Sequence, residues 1–292
     1  MLINPLFVYD WNFITVNREC TDKIVKQVDY GSRTFGHGTV KNKTIRGLIL
    51  DRCLKAIELN NSMDVLEVGC GAGSFTMAIQ DSKPGLRVYG CDISIEAIKN
   101  INKNVFVVQS DALHLPYKNS SFDTVFMLDV LEHLNSPEIA LSEANKVLKR
   151  NGILHCHVPC EGNFLTLHSL LKYIRELKKN HLGHIYGFTT GSLSKMITSA
   201  GFEIKETSYS LQLFGQIYDI ALIMAIEFFP STAFQIGSIK DSCFIKDKGG
   251  RGKGVWFLKG VNYLANFLTY YESILFSKVP LAIGVHITAI KK

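Results

Sequence analysis

Short apolar runs, each closed by a turn-forming or acidic residue, recur through the middle of the chain. Val65, Leu66 and Val68 make the first, Val88 and Tyr89 the second, Val105 to Val108 the third, Phe122 to Leu128 the fourth and Ile153 to Val158 the fifth. Runs of this length read as strands buried on both faces. Helical stretches separate them, so the chain from Met63 to Pro159 alternates strand and helix, which predicts a parallel sheet joined by right-handed crossovers. Upstream, Ile45, Leu48, Ile49, Cys53, Leu54 and Ile57 form one stripe of a helix over Thr44 to Leu59. Downstream come helical stretches over Asn163 to Lys179 and Ser192 to Ala200, the second closed by Gly201 in the C-cap position. Phe202 to Ser210 and Gly284 to Lys291 alternate polar and apolar residues as strands.

Between those last two strands lie two predominantly apolar stretches, Leu211 to Phe229 and Val255 to Leu275, the second carrying Trp256, Phe257, Tyr263, Phe267, Tyr270 and Tyr271. A membrane-spanning helix needs about 20 predominantly apolar residues. The first stretch interrupts its own with Gln212, Gln216, Asp219 and Glu227, and an acid at mid-span costs roughly 2.5–3.5 kcal/mol, which argues against spanning. Lys240 to Gly254 between them is basic and glycine-rich and reads as a mobile loop. The chain thus divides into an N-terminal helical lid segment (1–60), a core (61–210 with 282–292) and a helical apolar insertion (211–281). Three readings of the insertion stay open: a cap over an acceptor pocket, a dimerisation element, or a surface resting on a membrane or a lipid-like substrate.

The first strand runs into the most informative segment, Asp64-Val-Leu-Glu-Val-Gly-Cys-Gly-Ala-Gly-Ser-Phe-Thr76. A strand feeding a glycine turn that opens a helix brings bare backbone to a ligand at a helix N-terminus. The spacing is E-x-G-x-G-x-G, not the dinucleotide G-x-G-x-x-G. The carboxylate of Glu67 suits a ligand bearing an ammonium and a sulfonium charge better than a pyrophosphate. Acids follow at later strand ends: Asp92 after the second, Asp111 after the third and Asp129 after the fourth.

This order of signals resembles the class I S-adenosylmethionine-dependent methyltransferases, of the small-molecule type with a Glu-His-Leu motif, here Glu132-His133-Leu134. The resemblance implies a Rossmann-like, seven-stranded, mostly parallel sheet with helices on both faces, an antiparallel last strand and the helical insertion before it. It implies S-adenosyl-L-methionine as donor and S-adenosyl-L-homocysteine as product. Glu67, Gly69, Cys70, Gly71 and Gly73 would then hold the amino-acid end of the donor, Asp92 with Ile93 its ribose, and Asp111 with Ala112 its adenine. Asp129 would stand by the methionine end or the acceptor. His133, placed after the fourth strand, is the candidate general base, since its ordinary pKa suits proton removal near neutrality; packing or hydrogen bonding is the competing role. His181, His184 and Tyr186 are candidate acceptor-side residues. Tyr30, Phe35 and His37, in an aromatic segment before the core, are candidate lid residues, with an ordinary surface loop as the alternative.

Composition narrows the picture further. Of the 292 residues 47% are hydrophobic and 20% charged, which is globular rather than disordered. The formal charge of +6 permits an anionic partner without establishing one. Seven cysteines with no C-x-x-C pair suggest reduced thiols and a cytoplasmic protein, and Met1 to Asp10 does not read as a signal peptide. His155, Cys156, His157 and Cys160 alternate across a strand, which breaks up a tetrahedral site, so no metal ligand is read here. Pro159-Cys160 follows the fifth strand rather than the fourth, and no nucleic-acid-binding module is attached, so a nucleic-acid substrate is disfavoured. The expectation is methyl transfer to a small, lipophilic acceptor at oxygen or carbon. Rivals are a catalytically silent binding subunit of the same fold, a nucleic-acid methyltransferase, and a nicotinamide oxidoreductase, which needs the other glycine spacing.

Overall fold

The computed structural model describes residues 40, 43–99, 101, 105–164, 166–228 and 253–292; the lid candidates Tyr30, Phe35 and His37 lie outside them. Strands β1 (Asp64–Val68), β2 (Arg87–Asp92), β3 (Phe106–Gln109), β4 (Phe122–Leu128), β5 (Leu148–Pro159), β6 (Phe202–Ser210) and β7 (Gly284–Lys291) form one sheet in the order β3-β2-β1-β4-β5-β7-β6. The pairs from β3 through β5 are parallel, and β7 runs antiparallel to both neighbours. The chain steps outward from β1 to β2 and β3, then returns to place β4 on the other side of β1. That reversal opens a crevice beyond the carboxyl ends of β1 and β4, where open α/β sheets bind ligands.

The central strands are what their apolar runs require. All five residues of β1 are buried, and Phe122, Val125, Phe126, Met127, Leu154, Cys156 and Val158 are buried on one face or the other. One face packs Leu66, Tyr89, Phe122 and Leu154 beneath α4 (Pro137–Val147) and α7 (Thr190–Ser199). The other packs Val65, Val88, Phe126 and Ile153 beneath α1 (Ile45–Leu59) and α2 (Ser74–Ser82). Thr44 caps α1 by accepting from Gly47 N–H at 3.1 Å. Cys53, Cys70, Cys91, Cys156 and Cys160 are buried free thiols.

Two local features depart from the simple sequence pattern. The stretch expected as one helix over Asn163 to Lys179 is two, α5 (Leu167–Leu170) and α6 (Lys172–Leu182), meeting at Leu171, whose ψ of 77° is not helical. Thr166 starts α5 by accepting from Ser169 N–H at 3.2 Å. A four-residue helix, α3 (Ile95–Ile98), follows β2.

The insertion contributes α8 (Leu213–Phe228) and α9 (Lys253–Leu275). They are bolted together: Glu272 on α9 accepts from Phe214 N–H at 3.0 Å and Gly215 N–H at 3.2 Å, capping the first turn of α8. α8 also packs on α5 and α6, and α9 on α1 and β6. Outward, α9 leaves Tyr263, Leu264, Leu268 and Leu275 exposed. Among the described residues no helix is long and apolar enough to cross a membrane.

Candidate active site

The glycine turn leaves β1 with Gly69, Gly71 and Gly73 at φ of +73°, +52° and +75°. These left-handed values are what side-chain-bearing residues resist. At Gly69 a Cβ would also lie 2.4 Å from the Val130 side chain, and at Gly73, which caps α2, 2.8 Å from Ile101. Backbone bonds stitch the turn to the neighbouring strand: Gly69 N–H and Cys70 N–H both donate to Cys91 O, at 2.7 and 3.0 Å.

The acids line up along that edge. Glu67 is buried and accepts from Thr76 Oγ1 at 2.5 Å. Burial raises its pKa to about 7 against the pull of Thr76 and of Arg46, with Asp92 adding to the rise. Asp92 receives Gly71 N–H on one oxygen at 2.7 Å and Ser94 N–H on the other at 2.9 Å. Burial nonetheless raises its pKa above the usual value. Asp111 accepts from Leu113 N–H at 2.9 Å. Asp129 sits in a left-handed conformation, φ +56°. Two bonds to β5 hold it there: its N–H donates to His157 O at 2.9 Å, and its Oδ1 lies 2.7 Å from His157 Nδ1. Backbone strain of this kind persists only where the surroundings fix it.

A cavity of about 800 Å3 runs along these strand ends. Glu67, Gly69, Cys70, Gly71, Asp92, Ile93, Asp111, Ala112, Asp129, His133 and His184 all line it. Gly73 does not line it, although its neighbours Ala72 and Ser74 do. His181 does not line it and pairs with Glu227 of α8 at 2.6 Å. Tyr186 is likewise outside it, stacked on Phe188 with its hydroxyl donating to Asn135 O at 3.2 Å.

The far wall carries charge buried in the protein. Lys178 of α6 is 2% exposed, with Nζ 2.7 Å from Glu161 Oε1 and 2.6 Å from Asp219 Oδ2. Asp219, from the insertion helix α8, also meets His168 Nε2 at 2.8 Å. Burial works against ionising Glu161, but Lys178 and His184 outweigh it and hold its pKa near 2. The same contest, with Lys178 and His168 as partners, leaves Asp219 well below the carboxylate range.

Residues 66–156 match a family model described as a methyltransferase domain. That stretch is similar to methyltransferase domains. A demethylmenaquinone methyltransferase of Staphylococcus carnosus is 33% identical over 113 residues, covering 36% of this chain and 46% of that protein. An uncharacterised protein of Methanocaldococcus jannaschii is 36% identical over 101 residues, covering 35% of this chain and 43% of that one. The chain thus spans less than half the length of these curated relatives. In fold, a S-adenosylmethionine-dependent methyltransferase of Thermotoga maritima superimposes with a TM-score of 0.50 at 20% identity, over 97% of this chain and 100% of that one.

Several residues lining the cavity carry no motif in the sequence. Arg46 lies on α1, outside every motif, 5% exposed with its guanidinium 4.6 Å over the Phe75 ring. Lys178 gave one signal: it stands four residues after Ile174, on the buried stripe of α6. His157 was read only as a rejected metal ligand, whereas it positions Asp129.

Proposed function

We propose that this chain binds S-adenosylmethionine at the glycine turn and transfers its methyl group to a small, lipophilic acceptor at oxygen or carbon. The observation that carries the reading is the turn itself. Its left-handed glycines keep side chains away from a cavity edge where Glu67 and Asp92 stand within one site. A Cβ at these positions would meet left-handed strain. Glu67 suits the donor's ammonium, and Asp92 keeps acceptor capacity on both oxygens for ribose hydroxyls beyond its two backbone bonds. A pyrophosphate beside two carboxylates would be repelled.

When bound, the donor supplies a methyl group already activated by the sulfonium charge. The work left to the protein is alignment and water exclusion. Asp129, fixed by His157, and His133 border the space between the donor turn and the far wall. The insertion lends Asp219 to that wall, which supports a cap over the acceptor pocket among the three roles considered. The lipophilic preference rests on the aromatic insertion.

The test is calorimetry with S-adenosylhomocysteine and NAD in parallel. Micromolar binding of the first and none of the second supports the reading; the reverse overturns it. Profiling of cell extracts with isotopically labelled donor then identifies the acceptor.

A further inference from the structure

The acceptor side of the cavity holds a constellation that donor binding leaves unused. Glu132, His133 and His184 bring one carboxylate oxygen and two ring nitrogens within 4.8 Å of one another. All three line the cavity.

Their orientation is fixed from behind. His133 Nδ1 lies 3.1 Å from Gly183 O. A carbonyl only accepts, so the proton is on Nδ1 and the ring lone pair on Nε2, which faces Glu132 Oε1 at 3.8 Å. His184 Nδ1 lies 3.0 Å from Glu161 Oε1. Glu161 Oε1 also accepts from Lys178 Nζ at 2.7 Å, so it serves as an acceptor here and the second ring is left to present Nε2. The two rings meet edge to face with centroids 5.1 Å apart. An imidazole that gives its far N–H to a carbonyl or a carboxylate is the arrangement that orients a histidine as a metal ligand and raises its basicity. Glu132 is buried, while the His133 side chain stays 24% exposed. A cation there would keep coordination positions open to a substrate, as catalytic sites with three protein ligands do.

We propose that Glu132, His133 and His184 form a binding site for a divalent first-row transition cation, which takes the hydroxyl oxygen of the acceptor as a further ligand. Two imidazoles and one carboxylate suit zinc, cobalt or iron(II) better than magnesium or calcium. The site stands on the side-chain geometry; its use in catalysis rests on the methyl-transfer reading above, and narrows it to an oxygen acceptor. Coordination lowers the hydroxyl pKa. The oxygen releases its proton to water at the cavity mouth and forms a bond to the donor methyl carbon. The sulfur–methyl bond breaks as its electron pair passes to sulfur, which becomes neutral. In this scheme His133 is a ligand rather than a general base.

The experiment is a titration of the metal-stripped full chain with Zn2+ by calorimetry and with Co2+ by visible absorption. The expected result is one equivalent bound at micromolar affinity or tighter, with Co2+ bands that Glu132→Gln and His184→Gln both abolish or weaken at least tenfold. Circular dichroism identifies a variant that fails to fold, and the other then decides. No saturable binding by the wild type, or undiminished binding in the folded variants, overturns the site. Binding of S-adenosylhomocysteine to the same preparation separates the two proposals. Donor product without cation sinks the metal site alone, and cation without donor product sinks the methyl-transfer reading alone.

Discussion

At the glycine turn, single atoms decide what the backbone can do. Gly71 donates its N–H to Asp92 at φ +52°, so Gly71→Val adds both left-handed strain and a side chain at the cavity edge. Calorimetry should show S-adenosylhomocysteine affinity falling at least a hundredfold in a folded variant. Glu67 makes a prediction of opposite signs. Its folded pKa of about 7 exceeds the ordinary value of 4.5. Its contribution to stability is therefore present below pH 4.5 and lost as pH rises to 7. Glu67→Gln should raise stability above pH 7 by on the order of 2 kcal/mol, read from urea unfolding, while weakening donor binding. A variant destabilised at pH 8 would contradict this. Glu67, Gly69, Gly71, Asp92 and Asp111, which line the cavity, could be read from sequence because glycines and strand-end acids are local signals. Arg46 and the Lys178–Glu161–Asp219 group could not, because their partners are distant in the chain and only the fold brings them together.

Among the elements, the insertion helices show how far periodicity reaches. Its apolar stretches predicted α8 and α9 to within a few residues, yet nothing in composition said that Glu272 would cap a helix 58 residues away. Glu272→Ala strips two N–H groups of their acceptor and should cost about 1–2 kcal/mol. Hydrogen exchange should rise first at Phe214 and Gly215, with β1 to β4 unaffected; uniform acceleration would contradict a local cap. The expected single helix at 163–179 failed for a comparable reason. Thr166 opens its own short helix there, and α8 supplies Gln216, a partner far along the chain, to accept from Leu167 N–H at 2.6 Å.

Across the whole molecule, buried ionisable groups set the acid limit of the fold. His155 is fully buried beside His286 and Thr288, and burial lowers its pKa to about 3, with Arg52 and His157 assisting. A histidine kept neutral by the fold loses its stabilising share as pH falls from 6.5 toward 3. Glu161 and Asp219, depressed by Lys178, add a loss below about pH 4.5. Urea midpoints should therefore decline in two stages on acidification, and Lys178→Met should remove the second stage. That variant should also lose roughly 3–5 kcal/mol at neutral pH by stranding two buried carboxylates. A single decline common to both proteins would refute the assignment.

The position of β7 carries a consequence for how the molecule is made. It lies between β5 and β6, so both strands wait on the ribosome with unpaired edges until the insertion and residues 284–291 have emerged. Such edges are templates for pairing between nascent chains. A slow, concentration-sensitive final step in refolding, and a dependence on chaperones in the cell, follow from that one late strand.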